Sequence, residues 1–556
     1  MQRKLLLNLI LVFGTISFPA SAIEINIDGK LDEEEWASAR QITKYYETMP
    51  FTLAEPSHSQ KVLILEDEKG IYFGFINIQK NETIRKQKHQ RDEEMANADM
   101  VGVSLDFDGD GLLSYGFTIS AGGSINDNVV RNENEMDYDW DADWKHGAHI
   151  EGDAWYAEMF IPWTIAPMKA QKGTKRKIKY SFYRWLRGDF IVYTTTKGNP
   201  RTEKFLSLFD EIEFNNYDVS KIDFFPYLNL TDDRVVGEED TKLGAEIFWK
   251  IDAGKQLNIA LNPDFGQVES DELVVDFNSS ETFYSDKRPF FSENHSLFDV
   301  KGYEFFYVIN TRRIGAAPDY DCSSYTEALQ SRCESSKVGI SDIDYAIRYT
   351  QQNESYDLGF LSASESDEDF SQGRDFYSLR LRKAEEKFSI GYLGTFTDRP
   401  VLDRDATVHA MDLIYRPSDK LRFDTILINS QVNQLNRDLD AGNAFRFRLT
   451  ASPNKNRYHD IGIFYFDENL DITDMGYQME NNWLFVGAQN GLKYTDFSDS
   501  SVFNSNIFEL GVGYEANGDF DKAADFTYLS YKGNFKNSYF IEIVNFYRTP
   551  SNCLLY

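Results

Sequence analysis

Three aspartates at alternate positions, Asp106, Asp108 and Asp110, are interleaved with Gly109 and followed by Gly111. Such spacing brings several carboxylate oxygens towards one point, which suits a hard cation such as Ca2+. The distal glutamate of an EF-hand loop is missing, and a solvated hairpin turn explains the same residues equally well. A second acidic run, Asp137, Asp139, Asp141 and Asp143, is a weaker cation candidate and has Trp140 and Trp144 set into it. Sugar rings stack their C–H faces on Trp and Tyr, while carboxylates and amides take the hydroxyls. Trp140, Trp144 and Tyr138 are therefore candidate platforms, with Asp139, Asp141, Asn128 and Arg131 as polar partners. Trp155 and Trp163 alternate with core-type residues on one strand and are expected to be buried.

A third stretch, ETFYSDKRPFFSENHSLF from Glu281 to Phe298, alternates charges with aromatic rings around a proline. A dry core would leave its charges unpaired, and water would leave its rings exposed. Other chemistries find little support. Carboxylates are abundant, but none is isolated as the matched pair a glycosidase needs. There is no G-x-S-x-G elbow, no HExxH and no Cys-x-x-Cys, and no His sits where it would serve a nucleophile as base. Whether the chain is an enzyme is left open with no catalytic residue assigned, and a membrane-associated hydrolase of O-glycosyl bonds is one alternative.

The elements that must position these residues divide the chain in two. MQRKLLLNLILVFGTISFPASA, residues 1–22, has basic residues, a short apolar run and a small-x-small end, the pattern of a secretory signal peptide. No later run is long and apolar enough for a membrane helix, which leaves a barrel possible. A net charge of -32 argues against nucleic acid as a partner. In a secreted chain, Cys322 and Cys333 are close enough to staple a polar loop with a disulfide, leaving Cys553 over. Residues 23–215 hold most of the tryptophans in short strand-like segments, the profile of a globular β-domain. After a linker at 216–222, residues 223–556 change to segments of about ten residues with period-2 alternation and short turns such as PSDK and PNKN. In FRFRLTASP, for example, Phe445, Phe447 and Leu449 are apolar and the residues between them polar or small. About sixteen such strands can be marked out, within the range of outer-membrane barrels. A soluble sandwich, propeller or solenoid alternates in the same way.

Two resemblances add to this. IDGKLDEEEWASA, followed by an acidic turn, Trp-Asp-x-x-Trp and WYAEMFIPW, resembles the whole of a carbohydrate-binding module of family 9, from about Ile23 to Asn215. That resemblance implies a β-sandwich, sugar binding, participation in carbohydrate breakdown and a calcium site. NPDFGQVESD, ETFYSDKRPFFSE and TRRIG resemble the signature of the domain of unknown function 5916, in which such a module precedes an outer-membrane β-barrel. The expected fold is thus all-β, an N-terminal sandwich followed by an antiparallel outer-membrane-type barrel.

The barrel lumen is a place that wants both rings and charges. A plug or constriction is expected over 262–315, built from Asp264, Glu269, Glu281, Lys287, Arg288, Glu293, Arg312 and Arg313, with Asp271 and Asp286 as further partners and Phe283, Tyr284, Phe290 and Phe291 wedged against the wall. In an equally simple account these ion pairs only hold barrel and sandwich together. After YFIEIVNFYR the tail TPSNCLLY contains Pro550, which interrupts pairing, and ends on Tyr556 without a clear strand. The resemblance thus implies a barrel shortened at its C-terminus. The function expected is glycan binding, uptake or catabolism at the outer membrane of a Gram-negative bacterium, with the sandwich in the periplasm and oligo- or polysaccharide and outer-membrane lipid as partners. A structural or assembly barrel with a protein-binding sandwich is the other alternative.

Overall fold

The computed structural model describes residues 24–549, apart from short internal stretches and a longer one at 264–282. The signal-like segment 1–22, Asp139, Asp264, Glu269, Asp271, Glu281, Glu293 and the tail with Pro550, Cys553 and Tyr556 lie outside the described residues.

The first part is a sandwich of two antiparallel sheets. One runs in the order Arg40–Ile42, Gln60–Glu66, Gly70–Ile78, Ala154–Pro162, Lys145–Glu151. The other runs Tyr46–Met49, Ile191–Thr194, Lys175–Leu186, Met100–Asp106, Leu113–Ser120, Ile125–Arg131, Glu135–Asp137, with Asp210–Asn215 also paired to Lys175–Leu186. Period-2 alternation sends Val101, Val103 and Leu105, Phe117 and Ile119, and Phe182 into one core with Phe73, Phe75, Trp155 and Trp163. The residues between them, Gly102, Ser104, Thr118 and Tyr183, point to the opposite face of that sheet.

The opening IDG turn is held by one carboxylate. Asp28 and Gly29 donate their N–H groups to Glu158 Oε2 at 2.9 and 2.8 Å, and Trp36 Nε1 donates to Oε1 at 3.2 Å. Gly29 has φ of +89°, and a Cβ there would lie 2.5 Å from the backbone of Ala148, so only glycine fits. Burial lifts the Glu158 carboxyl to about 7.

Among the described residues, the second part is one antiparallel sheet of fifteen strands, each paired to its neighbour in chain order from Lys221–Asp233 to Phe540–Arg548. Its polarity is inverted relative to the sandwich. Along Asp375–Glu385, Phe376, Ser378 and Arg380 are buried on the inner face while Leu379 and Leu381 are exposed on the outer. Leu243, Met411 and Leu510 are likewise at least half exposed. Ion pairs line the inside, among them Arg380 with Asp412 at 2.5 Å, Arg382 with Asp357 at 2.8 Å and Arg448 with Asp460 at 2.6 Å. No ladder joins the first and last strands among the described residues.

Between the strands Lys255–Leu261 and Ile343–Gln352, the described residues from Phe290 to Ile314 turn inward. Phe290, Phe291, Phe298, Val300, Phe306 and Val308 form one apolar cluster with wall residues Ala260, Ala346, Ala363, Ala410 and Ala444. Because strands so far apart in the order share this cluster, the sheet must curl around it. The alanines leave the room that the phenylalanine rings fill. Cys322 and Cys333 form a disulfide in the loop that follows, with Cα atoms 5.6 Å apart.

The sandwich docks on the short-turn end of this sheet. Lys250 Nζ donates to the carbonyls of Thr164 and Ala166. Met168 N donates to Ala253 O at 3.2 Å, Ala170 N to Gln352 O at 3.1 Å, and Arg416 Nη2 to Gly111 O at 3.1 Å. Arg131 bridges Asp137 of the sandwich and Asp299 of the inserted stretch at 2.9 and 3.1 Å.

Candidate functional site

On the face of the larger sandwich sheet turned away from the core lies a cavity of about 350 Å3. Antiparallel register sets its floor: Thr194, Tyr183, Gly102, Thr118 and Asn126 form one cross-strand row, and Ser181, Ser104, Gly116 and Asn128 the next. A Cβ on Gly102 would lie 2.5 Å from the Tyr183 ring, and one on Gly116 would lie 2.5 Å from Asn128 Oδ1. Both glycines therefore let their neighbours lie flat across the sheet. Met100, Trp185, Val192 and Phe205 supply apolar wall, and Asn134, Met136 and Tyr138 close one side.

Polar groups in this groove divide sharply. The Tyr183 hydroxyl bonds Thr118 Oγ1, and burial pushes the phenol up from its ordinary range. Asn126 Oδ1, Asn128 Oδ1 and Trp185 Nε1 are buried and have no hydrogen-bond partner. A buried amide or indole without a partner costs roughly 1–3 kcal/mol. Three such atoms lining one mainly apolar cavity, beside two aromatic rings, form a surface that suits a ligand with both a greasy face and hydroxyls. Arg187 covers the Trp185 ring at 4.8 Å.

Of the sugar-site residues expected from sequence, Asn128 and Tyr138 line this groove. Trp144 does not: it is buried, packs edge-on to Phe117 and donates Nε1–H to Asp127 at 3.1 Å, so it is core. Trp140 is partly buried against Tyr115 and Phe117 at 4.8 and 5.8 Å. Both rings were expected as platforms; Trp144 faces inward because the Trp-Asp-x-x-Trp loop folds back over Phe117, while Trp140 rests on that core and also lines a separate cavity of about 310 Å3 with Arg131, Tyr138 and Phe283. Arg131 is spent on the two aspartates at the domain contact, and Asp141 pairs with Arg91 at 2.7 Å. Trp185 and Tyr183, absent from the expected set, were marked by their position: in YSFYRWL they alternate with the inward Tyr180, Phe182 and Arg184.

The expected cation turn is otherwise engaged. Asp106 accepts the N–H groups of Asp108, Gly109 and Gly111 at 3.1, 2.8 and 2.7 Å. Asp108 accepts Lys169 N–H at 2.6 Å, and Asp110 accepts Lys169 Nζ at 2.7 Å. Burial raises Asp106, whereas at Asp110 the Lys169 ammonium outweighs burial and holds the carboxyl down. With an ammonium on Asp110 and backbone N–H groups on Asp106 and Asp108, the turn as built does not fit a calcium site. A second cluster, Asp92, Asp127 and Asp141, has oxygens within 4.8 Å of one another, but Arg91 reaches into it with bonds of 3.0 and 2.6 Å to Asp127. Burial lifts Asp92 to about 6.

The charged and aromatic stretch is satisfied from within. Arg288 grips Asp286 through Nε and Nη2 at 2.8 and 2.6 Å, donates to the carbonyls of Ile314 and Thr311, and lies 4.2 Å over the Phe291 ring. From the wall, Arg348 donates to Phe291 O and Arg380 to Leu297 O, at 3.2 and 3.0 Å. Arg313 donates to Gly476 O at 3.0 Å, and Arg312 lies 5.5 Å from the Tyr284 ring. Phe283 stacks on Tyr307 at 3.9 Å. Lys287 is the chain neighbour of Arg288, between it and Asp286.

Residues 220–340 match the family described as Domain of unknown function (DUF5916). No curated protein matches the sequence. Among solved structures, the chain is similar to a family 9 carbohydrate-binding module from Caldicellulosiruptor kristjanssonii in complex with cellotriose, at 13% identity over 34% of this chain and 89% of that one, with a TM-score of 0.25. A putative carbohydrate-binding protein from Bacteroides uniformis matches at 10% identity over 31% of this chain and 86% of that one, with a TM-score of 0.22. Pseudomonas aeruginosa OpdQ matches at 7% identity over 82% of this chain and 94% of that one, with a TM-score of 0.26.

Proposed function

We propose that this protein is an outer-membrane barrel whose sandwich, on the periplasmic side, holds a saccharide in the groove of Tyr183 and Trp185. The observation that carries this reading is the set of buried, unpartnered atoms Asn126 Oδ1, Asn128 Oδ1 and Trp185 Nε1 lining that groove. Sugar hydroxyls supply the donors and acceptors these atoms lack, and sugar C–H faces suit the rings. The membrane part of the proposal rests on inverted polarity. A sheet with leucines outside and arginine–aspartate pairs inside is stable in lipid and costly in water. Outer-membrane barrels keep short turns towards the periplasm, and the sandwich docks on the short-turn end.

The inserted stretch acts as a plug on one side of the lumen. Its apolar cluster takes up the inner face from the strand Lys255–Leu261 to Arg457–Phe466. Beyond, the inner face carries the hydroxyls of Tyr528 and Ser530 bonded to Glu509. Passage of solute, if the protein conducts, follows that polar side. The test is titration of the full chain in detergent with neutral oligosaccharides, read by tryptophan fluorescence. Saturable binding that Tyr183→Ala abolishes is expected. A flat response across the panel, with the chain folded, overturns the saccharide reading.

A further inference from the structure

Between the sandwich and the barrel mouth lies a chamber of about 500 Å3, and it is basic in a protein whose net charge is -32. Lys179, Lys204, Lys387, Arg416, Arg422 and Arg448 all line it. The five acids that share the chamber are already engaged, Asp424, Asp460 and Glu133 by the chamber's own arginines. Asp110 holds Lys169, Asp460 holds Arg448, and Asp424 holds Arg422 at 2.7 Å. Glu133 accepts the N–H groups of Phe205 and Ser207 at 3.2 and 3.0 Å, and Glu509 accepts hydroxyls. Lys179 and Lys387 make no ion pair with the chamber's acids among the described residues, and Arg416, whose Nη2 stands 3.9 Å from Glu133, keeps its Nε buried without a hydrogen-bond partner. A partly enclosed cavity with surplus, unneutralised positive charge attracts an anion.

The chamber also continues the groove. Asn134 lines both cavities, and the neighbours Lys204 and Phe205 line one each. Lys179 stands on the strand Lys175–Leu186 with the same parity as Ser181, Tyr183 and Trp185, so it belongs to the face that carries the groove. Four residues of strand separate it from Tyr183, about 13 Å at the usual rise. A single sugar ring does not cover that distance, and a short chain of rings does.

We propose that the chamber is an oxyanion site continuous with the groove, and that the ligand is an acidic oligosaccharide, bearing carboxylate or sulfate groups, whose rings lie on Tyr183 and Trp185 while its acidic groups meet Lys179, Lys387 and Arg416. This inference rests on the saccharide reading of the groove and names its ligand class. Uronate and sulfated chains share the chemistry, and the test separates them.

The experiment titrates the full chain in detergent at low ionic strength with a galacturonic acid trimer, a sulfated oligosaccharide of similar length, a neutral trisaccharide and inorganic phosphate. One acidic oligosaccharide is expected to bind more tightly than the neutral one, with affinity falling as salt is added. The double variant Lys179→Gln/Lys387→Gln, which breaks no ion pair of the fold, should weaken acidic binding roughly tenfold and leave neutral binding unchanged. Equal affinity for acidic and neutral chains, or acidic binding untouched by the double variant, overturns the chamber while the groove still binds. Phosphate binding as tightly as the oligosaccharides overturns the sugar assignment of the ligand. Loss of all saccharide binding in the wild-type chain is instead the failure of the groove.

Discussion

The groove on the sandwich and the inserted stretch in the barrel both set aromatic rings among polar groups, and they treat those polar groups in opposite ways. In the barrel, Arg288 is matched by Asp286, by two carbonyls and by a ring, so its charge is satisfied by the chain itself. In the groove, Asn126, Asn128 and Trp185 keep buried atoms without partners. A satisfied network stabilises and specifies structure, whereas an unsatisfied one awaits a ligand. The same residue vocabulary thus serves architecture in one place and recognition in the other.

The sharpest way to break this contrast is Arg288→Ala. Removing one partner of a buried ion pair costs about 3–5 kcal/mol, so the barrel should unfold at lower denaturant and, with the plug loosened, pass more solute in reconstituted vesicles. No change in stability or flux would mean that the stretch neither holds nor blocks.

A smaller effect is expected from Glu158, whose folded carboxyl titrates at about 7 against an ordinary 4.5. The folded state then binds the proton more tightly than the unfolded one, so its contribution is fully favourable below 4.5 and is lost as pH rises to about 7. Sandwich melting in the full chain, followed by tryptophan fluorescence, should fall across that window by roughly 2 kcal/mol in stability. Glu158→Gln keeps an acceptor for Trp36 and the IDG turn and should flatten the slope.

Asn128→Ala separates the two kinds of site most cleanly. Saccharide affinity should drop by about 1–1.5 kcal/mol, the worth of one hydrogen bond, while melting temperature holds or rises because an unpartnered buried amide is gone. A drop in stability instead would place Asn128 with the satisfied, architectural groups. Smallest of all is the effect of calcium: with Lys169 seated on Asp108 and Asp110, addition of calcium or of a chelator should leave melting unchanged. A rise with calcium would show that the turn rearranges around the ion.

Much of the architecture was legible because periodicity is a local property. Alternation in FRFRLTASP and YSLRLRKAEE survives unchanged as Phe445 and Leu379 facing outward and Arg446 and Arg380 inward. The hairpin that joins Gln60–Glu66 to Gly70–Ile78 is an equally local feature. The sugar site was not, because it depends on which way loops fold. Trp140 and Trp144 have the right composition for a platform, but only tertiary packing turns them onto Phe117. Trp185 was readable only through its strand, since an outward tryptophan beside an inward Arg184 reverses the usual order of polarity. The partner of the aspartate turn was not legible for a further reason: Lys169, whose N–H bonds Asp108 and whose ammonium bonds Asp110, lies 59 positions from Asp110 and no spacing rule connects them.

The docking of the sandwich on the sheet, through Lys250, Met168 and Ala170, has a thermodynamic consequence. Pulling the two parts apart would strip the Lys250 ammonium and the Thr164 and Ala166 carbonyls of their partners, and a buried donor or acceptor left that way costs about 1–3 kcal/mol. The two parts are thereby linked energetically, and denaturant that opens one should loosen the other in the same transition.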